Sequence, residues 1–430
     1  MNQTNINKYP AYKDSGVEWL GEIPEGWDVL PGLRFLFEVK DKNKGLKRKT
    51  VLSLSYGKIR IKKEQELTGL VPESFETYQL VEKGDIIFRP TDLQNDHVSL
   101  RSGISEFKGI ITSAYLNLRV TSLANNKFIS YFFRAIDNNK IIYGLGSGLR
   151  QNIDFKDFRR LLFPFPPLPE QTAIAQFLDN KTAKIDKAIA QKERLIELLK
   201  ERKQIMIQNA VTKGLNPNVK MKDSGVEWIG KIPADWEVKK MKFVFDKIKT
   251  GTTPPTANQR FFNGKINWFN PGDFKYPFLK ESLKKISIFA LQQNEISLFP
   301  SDSILVVGIG GTTGKTAYME KEATFNQQIT GFHSKKEYNK YFFFLISNFK
   351  NIMLETASYT TLPIINNEFF KSFVITTPPI KEQKEIVQHI QTESTKIDRA
   401  ITLQEQQIEK LKEYKSVLID SAVTGKIKVS

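Results

Sequence analysis

The residues that most suggest catalytic chemistry form a glycine-rich run that ends like a phosphate-binding loop. The run is Gly308–Thr316 and ends in Gly-Lys-Thr. A P-loop needs a glycine five positions before its last glycine, and Ile309 occupies that position. The residues that follow are typical of a strand, whereas a P-loop leads into a helix that caps the phosphate. We therefore expect no nucleotide site in this run.

Other residues that could perform chemistry are sparse. The chain has three histidines, none spaced with carboxylates as in a zinc motif, and it has no cysteine. It also lacks the Asn-Pro-Pro-aromatic and Asp-Pro-Pro-aromatic runs of amino-methyltransferases. The sequence therefore predicts no catalytic, cofactor-binding or metal site. Zero cysteine, no signal-peptide core and no run long enough to span a bilayer predict a cytoplasmic protein without a membrane partner.

The charge of the chain favours a polyanionic partner. Its 430 residues include 64 Lys and Arg against 47 Asp and Glu, a net charge of +17. Between Arg34 and Lys63 there are eleven basic residues and two acidic ones, with Phe35, Phe37 and Tyr56 interleaved. Such a stretch suits a phosphate-contacting face, although a solvated lysine-rich loop has the same composition.

Residues that could read bases are arginines for guanine and Asn or Gln for adenine, presented from loops or helix ends. In the second half, short polar residues cluster at Lys249–Pro254 and Asn326–Gln328. Each of these residues could instead belong to a structural turn. The candidate DNA-binding residues are Arg60, Lys62, Lys63, Arg89, Arg101, Arg150, Gln151, Lys249, Thr252, Thr253, Arg260, Gln327 and Gln328.

The segments of the chain that carry these residues occur twice. Lys13–Val29 returns as Lys222–Val238 with twelve of seventeen positions identical, and the segment from Pro166 returns from Pro378 with 22 of 47 positions identical. The offsets are 222 − 13 = 209 and 378 − 166 = 212, so the chain is a tandem duplication. Each copy has a variable block followed by a helical segment.

The variable blocks predict mixed α and β structure, and the helical segments predict a paired seam. Strand-like runs include Ile110–Val120 and Ser303–Val307, and helices are predicted at Lys127–Ile136 and Tyr338–Phe349. A heptad-like seam needs a partner, and an antiparallel pseudo-twofold pair is the simplest closure, although each helix could instead pack only on its own block. The seam residues are Ile174, Leu178, Ile185, Ile189, Ile196, Leu199, Met206, Ile386, Ile390, Ile397, Ile401, Ile408, Leu411 and Leu418.

The repeated motifs resemble the specificity subunit of type I restriction-modification systems over essentially the whole chain. The resemblance is carried by SGVEWLGEIPEGW and SGVEWIGKIPADW, by PPLPEQ and PPIKEQ leading into helices that contain KID, and by the helix ends AVTKG and AVTGK. The second block adds IKTGTTP and NQQITGF. The first block lacks the Gly-x-Thr-Pro turn, so loops cannot be matched between the blocks.

This resemblance implies an α+β fold in which two mixed α/β target recognition domains alternate with two long helices that pair as an antiparallel coiled coil. The implied domains are target recognition domain 1 (1–164), helical region 1 (165–212), target recognition domain 2 (213–376) and helical region 2 (377–430). It further implies that each recognition domain reads one half of a bipartite double-stranded DNA target. The helices would scaffold two methylation subunits, which hold S-adenosylmethionine, while motor-nuclease restriction subunits cut unmethylated DNA.

Two other functions remain open from the residues alone. One is a self-sufficient DNA-modifying or DNA-cleaving enzyme with an unrecognised site. The other is an RNA-binding scaffold, because phosphate neutralisation does not depend on sequence. Competition between duplex DNA and structured RNA would separate the second from DNA recognition.

Overall fold

The structure, a computed structural model, describes residues 7–66, 74–91, 93, 100–144, 152–356, 358–359 and 363–429. The chain divides into two compact units, one made of residues 1–193 with 404–430 and the other of residues 194–403. Both division points fall inside long helices. Each unit therefore contains one variable block and one half of each long helix.

The first block is built around a four-stranded antiparallel sheet in the order β4-β11-β8-β9. A separate hairpin joins β5 to β6, and β12 pairs with β3 so that the end of the block lies beside its beginning. The elements are β1 (Tyr12–Asp14), β2 (Glu22–Pro24), β3 (Asp28–Pro31), β4 (Leu36–Glu38), β5 (Leu52–Ser55), β6 (Lys58–Ile61), β7 (Gln79–Val81), β8 (Ile86–Phe88), β9 (Ser102–Ile104), β10 (Gly109–Ile111), β11 (Leu116–Val120), α1 (Asn126–Asn138), α2 (Phe155–Arg160) and β12 (Leu162–Phe165). The first long helix, α3 (Leu168–Lys213), follows directly.

The second block contains a five-stranded sheet in the order β16-β23-β20-β21-β18, antiparallel except for the β18–β21 pair. Its elements are β13 (Met221–Asp223), β14 (Lys231–Pro233), β15 (Glu237–Lys240), α4 (Met241–Val244), β16 (Lys247–Thr250), β17 (Phe262–Phe269), β18 (Phe278–Leu279), β19 (Lys285–Ile286), α5 (Ile288–Gln292), β20 (Ser303–Val307), β21 (Thr316–Met319), β22 (Thr324–Phe325), β23 (Ile329–His333), α6 (Asn339–Asn348), α7 (Lys350–Thr356), β24 (Ser358–Tyr359), β25 (Pro363–Ile364), α8 (Asn367–Ser372) and β26 (Val374–Thr377). The second long helix is α9 (Ile380–Val423).

Aromatic side chains build the core of the first block, and this core extends onto the long helices. In the first block, the ring of Phe158 contacts those of Phe88 and Phe133 at centroid distances of 4.8 and 5.1 Å. The same core includes Ile174 of α3 and Leu418 of α9. Burial of such rings is among the largest apolar contributions that single side chains make, so the sheet, α1 and the two helix halves of this unit form one core.

The two long helices run antiparallel. In the first unit, Lys192 Nζ donates to Gln404 Oε1 at 3.1 Å, and Lys415 Nζ lies 2.6 Å from Asp186 Oδ1, so positions rise along α3 as they fall along α9. In the second unit, Lys203 Nζ lies 2.7 Å from Asp398 Oδ2.

These two ion pairs are the same interaction made twice. Residues 186 and 398, and residues 203 and 415, are each 212 positions apart, which is the offset of the helical repeat. The predicted α+β fold, with two long antiparallel helices in an internally duplicated chain, is confirmed. In the described part of the chain, no helix combines the length and apolar character needed to cross a bilayer.

The seam positions lie on the inward sides of α3 and α9. None of them is fully exposed. The buried ones are Ile174, Leu178, Ile185, Ile196, Ile386, Ile390, Ile401, Ile408 and Leu418, and the partly buried ones are Ile189, Leu199, Met206, Ile397 and Leu411.

The predicted elements of the blocks match the structure in kind, with one clear difference. The Ser303–Val307 run is β20, and Lys127–Ile136 lies within α1. The strand-like run Ile110–Val120 is not one continuous strand, because the structure divides it into β10 and β11. A turn intervenes in which the backbone N–H of Tyr115 donates to Thr112 O at 3.3 Å.

Candidate nucleic-acid interface

The β5–β6 hairpin and the turn after it carry the basic candidates Arg60, Lys62 and Lys63. Arg60 Nη1 donates to Glu66 Oε1 at 3.0 Å, and the backbone N–H of Lys63 donates to Glu66 Oε2 at 3.1 Å. These two bonds, the backbone one first, hold the pKa of Glu66 below its usual value. Arg60 and Lys63 are exposed and Lys62 is half-buried, so the hairpin displays positive charge to solvent.

Arg101 does not lie on a surface, which corrects its selection as a DNA contact. The side chain is fully buried, and its Nη1 donates to Thr91 O at 2.7 Å. The backbone N–H of Arg101 donates to Asp137 Oδ2 at 2.7 Å, and its backbone O accepts from the N–H of Arg89. Arg101 therefore ties β9 to α1 and to the end of β8. Arg89, also a candidate, is half-buried beside it.

Two further candidates in the first block, Arg150 and Gln151, lie outside the described residues.

Two exposed residues of the β5–β6 hairpin were not among the candidates predicted from sequence. They are Tyr56, which is 88% exposed, and Lys58. The signal available in the sequence was the Tyr56-Gly57 pair between two short β-prone runs, which is typical of a tight hairpin turn.

In the second block, the structure brings together two polar segments that are more than seventy residues apart in sequence. Pairing of β16 with β23 places the turn after β16 against the turn before β23. The backbone N–H of Thr252 donates to Phe325 O at 3.0 Å, and the Thr253 hydroxyl donates to Gln327 Oε1. Asn326 Nδ2 donates to Gln328 Oε1 at 3.1 Å. With both Gln side-chain oxygens accepting, each amide nitrogen keeps hydrogens for an outside acceptor.

The close contact of these two turns depends on a glycine. A Cβ on Gly251 would lie 2.0 Å from Phe325 O and 2.5 Å from Asn326 O. Beside the turns lies a small cavity of about 300 Å³, lined in part by Gln328 and Asn367. The side-chain Oδ1 of Asn367 accepts from the Thr250 hydroxyl at 2.9 Å. The result is a polar, rigid surface of amides and hydroxyls, which can exchange hydrogen bonds with base edges.

The remaining candidates of the second block stand at its exposed surface. Lys249 Nζ donates to Ser297 Oγ at 2.5 Å, and the guanidinium of Arg260 lies 4.2 Å from the centre of the Phe289 ring. Lys247, two residues before Lys249 on β16, is half-buried, and this burial lowers its pKa. Lys249 and Arg260 therefore remain the exposed cations of this group.

Groups that could bind a metal are absent from the part of the chain that the structure describes. His333 lies on β23 with its Nδ1 3.3 Å from Ser303 Oγ, and burial lowers its pKa. It therefore belongs to the sheet rather than to a ligand set.

Comparison with known proteins identifies the family to which this arrangement belongs. A family model, the type I restriction modification DNA specificity domain, matches residues 25–198 and 233–413. The chain belongs to this family. It is therefore a DNA-recognition subunit of a restriction-modification complex and not the catalytic subunit, as its repeated motifs predicted. Such a subunit associates with DNA and with the other subunits of the complex.

Individual relatives span nearly the same length as this specificity subunit. A putative type I restriction enzyme MjaX specificity subunit from Methanocaldococcus jannaschii is 25% identical and covers 95% of this chain and 96% of its own. The EcoKI specificity subunit of Escherichia coli is 24% identical, with 86% and 82% covered. The HsdS subunit from Thermoanaerobacter tengcongensis has a TM-score of 0.56 at 14% identity, with 94% and 98% covered. A chain from a structural study of assembly and conformational transition in the type I R-M system reaches a TM-score of 0.69 at 13% identity, with 93% and 98% covered. The solved structures share the fold.

Proposed function

We propose that each variable block of this specificity subunit reads one half of a bipartite double-stranded DNA target. The observation that carries this proposal is the duplication. Each unit repeats the arrangement of one block packed on an antiparallel helix pair, down to the ion pairs of Asp186 and Asp398. The two blocks differ in their surfaces, because one displays a basic hairpin and the other an amide-rich pair of turns. Similar units with unlike surfaces suit a target with two unlike halves.

We further propose that the helix pair scaffolds two methylation subunits, one for each repeat, and that motor-nuclease restriction subunits join the same complex. Large apolar side chains are exposed on both helices, and exposed apolar surface of this kind suits burial against a protein partner. They include Leu195, Leu198 and Ile205 of α3 and Leu403, Tyr414 and Val417 of α9. S-adenosylmethionine is then held by the methylation subunits, and this chain holds no cofactor.

The test is methyl transfer by a purified complex of this chain with its partner methylation subunit. We expect adenine methylation at one bipartite sequence when the chain is present, and none at that sequence from either component alone. Structured RNA should compete far less well than duplex DNA that contains the site. Methyl transfer without sequence preference by the complete complex, or transfer by the isolated chain, would contradict the proposal.

A further inference from the structure

The β5–β6 hairpin ends in an exposed aromatic ring that its turn does not favour. Tyr56 and Gly57 are the two central residues of the turn, with φ of +48° and +70°. Two-residue turns of this kind favour Asn-Gly, because a bulky side chain at positive φ is strained. The ring is 88% exposed, so it recovers little of that cost through packing. A large ring is thus held in solvent at a position where Asn would be the more stable choice.

The two faces of the hairpin have different chemistry. Ser55 pairs with Lys58 and Ser53 with Arg60, and residues paired across strands share a face. This face carries both cations. The opposite face carries Leu52, which is buried in a small apolar core with side chains of β7, β8 and β10. The hairpin therefore presents a basic face and an aromatic tip while its other face is fixed to the block.

The tip is held rigidly by the body of the block. Arg134 of α1 is half-buried, and its Nη2 donates to Gly57 O at 2.9 Å. A Cβ on Gly57 would come within 2.6 Å of that guanidinium, and a Cβ on Gly103 of β9 would come within 3.0 Å of Gly57 O. Ordering of the hairpin is thus achieved before any ligand binds, which lowers the entropic cost of binding.

We propose that this hairpin enters the major groove of the first half-site, with Lys58 and Arg60 facing the DNA and the Tyr56 ring against the base edges. The major groove is about 12 Å wide and admits a two-stranded β-ribbon. The ion pair of Arg60 with Glu66 is half-exposed, so exchange of the carboxylate for a phosphate or a guanine is weakly opposed. This inference rests on the proposed reading of one half-site by each block.

The most informative variant is Tyr56→Asn, because it removes the ring and suits the turn. In the assembled methylation complex, we expect it to weaken binding to the cognate duplex about 10-fold, equivalent to about 1.4 kcal/mol. The midpoint of thermal unfolding should stay unchanged or rise, since the turn strain is relieved. A lower midpoint of thermal unfolding together with weaker binding would overturn the inference, because the ring would then stabilise the fold rather than contact DNA.

A second comparison separates charge from geometry at Arg60. Arg60→Ala should weaken binding and reduce the slope of log affinity against log salt by about 0.9, the value for one phosphate contact. Arg60→Lys should keep that slope if the contact is a phosphate, and should relax sequence preference if the guanidinium reads a guanine. Either result for Arg60→Lys supports the hairpin contact. An unaltered affinity and slope in Arg60→Ala would overturn it.

The matched control is Tyr276→Asn, which removes a ring that is 75% exposed in the second block. We expect this change to leave the preference at the first half-site intact. Tyr56→Asn and Arg60→Ala should alter the first half-site alone, as measured with duplexes varied one half at a time. If the complex with the unsubstituted chain prefers one DNA sequence and the hairpin variants bind that sequence equally well, this inference alone is overturned. If the complex with the unsubstituted chain prefers no DNA sequence, the proposed function and this inference are overturned together.

Discussion

The two tryptophans of the repeated opening motif form a matched pair for measuring one buried hydrogen bond. Trp27 and Trp236 are 209 positions apart, the offset of this motif, and both are almost completely buried. Trp236 Nε1 donates to Glu382 Oε2 at 2.9 Å. In the first unit, the equivalent carboxylate of Glu170 accepts from the Tyr9 hydroxyl at 2.5 Å, and Trp27 Nε1 has no partner among the described residues.

The magnitude follows from comparing the same substitution at both sites. Trp→Phe removes similar apolar volume from either core, so the difference between the two variants isolates the N–H group. A hydrogen bond to a charged group contributes about 1.5–3 kcal/mol, and the lower value applies because Glu382 is only half-buried. At Trp27 the change removes an unsatisfied donor and so costs no hydrogen bond. We expect Trp236→Phe to destabilise its unit by about 1.5 kcal/mol more than Trp27→Phe destabilises the other.

Hydrogen exchange of the full chain measures this difference, because it reports the local stability of each unit separately. Trp236→Phe should speed exchange in β14, β15 and the start of α9 by about tenfold relative to the change that Trp27→Phe causes in β2, β3 and the start of α3. Glu382→Gln retains an acceptor and should fall between the unaltered chain and Trp236→Phe. Equal acceleration by the two Trp variants, or a larger effect of Trp27→Phe, would show that the bond of Trp236 to Glu382 does not stabilise its unit.

Three further predictions concern the helix pair, the second-block turns and pH. Ile185→Glu should lower the free energy of unfolding of the first unit by about 3 kcal/mol in denaturant titrations, because it buries an unpaired charge. Ala190→Glu, at an exposed position of the same helix, should lower it by under about 0.5 kcal/mol. Gly251→Ala should abolish preference at the second half-site but not the first in methylation assays, because the backbone at Phe325 leaves no room for a Cβ. Burial raises the pKa of Asp137, so folding favours its protonated form. The stability that this carboxyl contributes is therefore present at low pH and is lost as pH rises through the raised pKa. Asp137→Asn should flatten this pH dependence of the free energy of unfolding in denaturant titrations.

The sequence was sufficient for features that repeat or have a period. The duplication predicted the paired helices because two equal seams can bury each other, and Ile174 and Ile386 are indeed equivalent and fully buried. The run of five apolar or small residues at Ser303–Val307 predicted β20 because a short apolar run between turn residues suits a buried strand.

Features that depend on tertiary contacts were not predictable from the same patterns. Arg101 is as plausible a DNA contact as Arg60 by residue type, and only the fold shows that it is buried against α1. The contact between Thr253 and Gln327 requires β16 to pair with β23, which no local pattern specifies. The two halves also differ in single residues that change a local contact. Tyr9, whose hydroxyl donates to Glu170 in the first unit, corresponds to Asn218 in the second.

We infer that this chain supplies the sequence preference of an adenine-methylating complex, one half-site for each block. Single-molecule methylome sequencing tests it most directly, in a host that expresses the chain with its neighbouring methylation subunit and in a host that lacks only the chain. We expect a bipartite adenine motif that disappears when the chain is removed. Persistence of the motif without the chain, or the lack of any modified motif while the partner is present and folded, would contradict it.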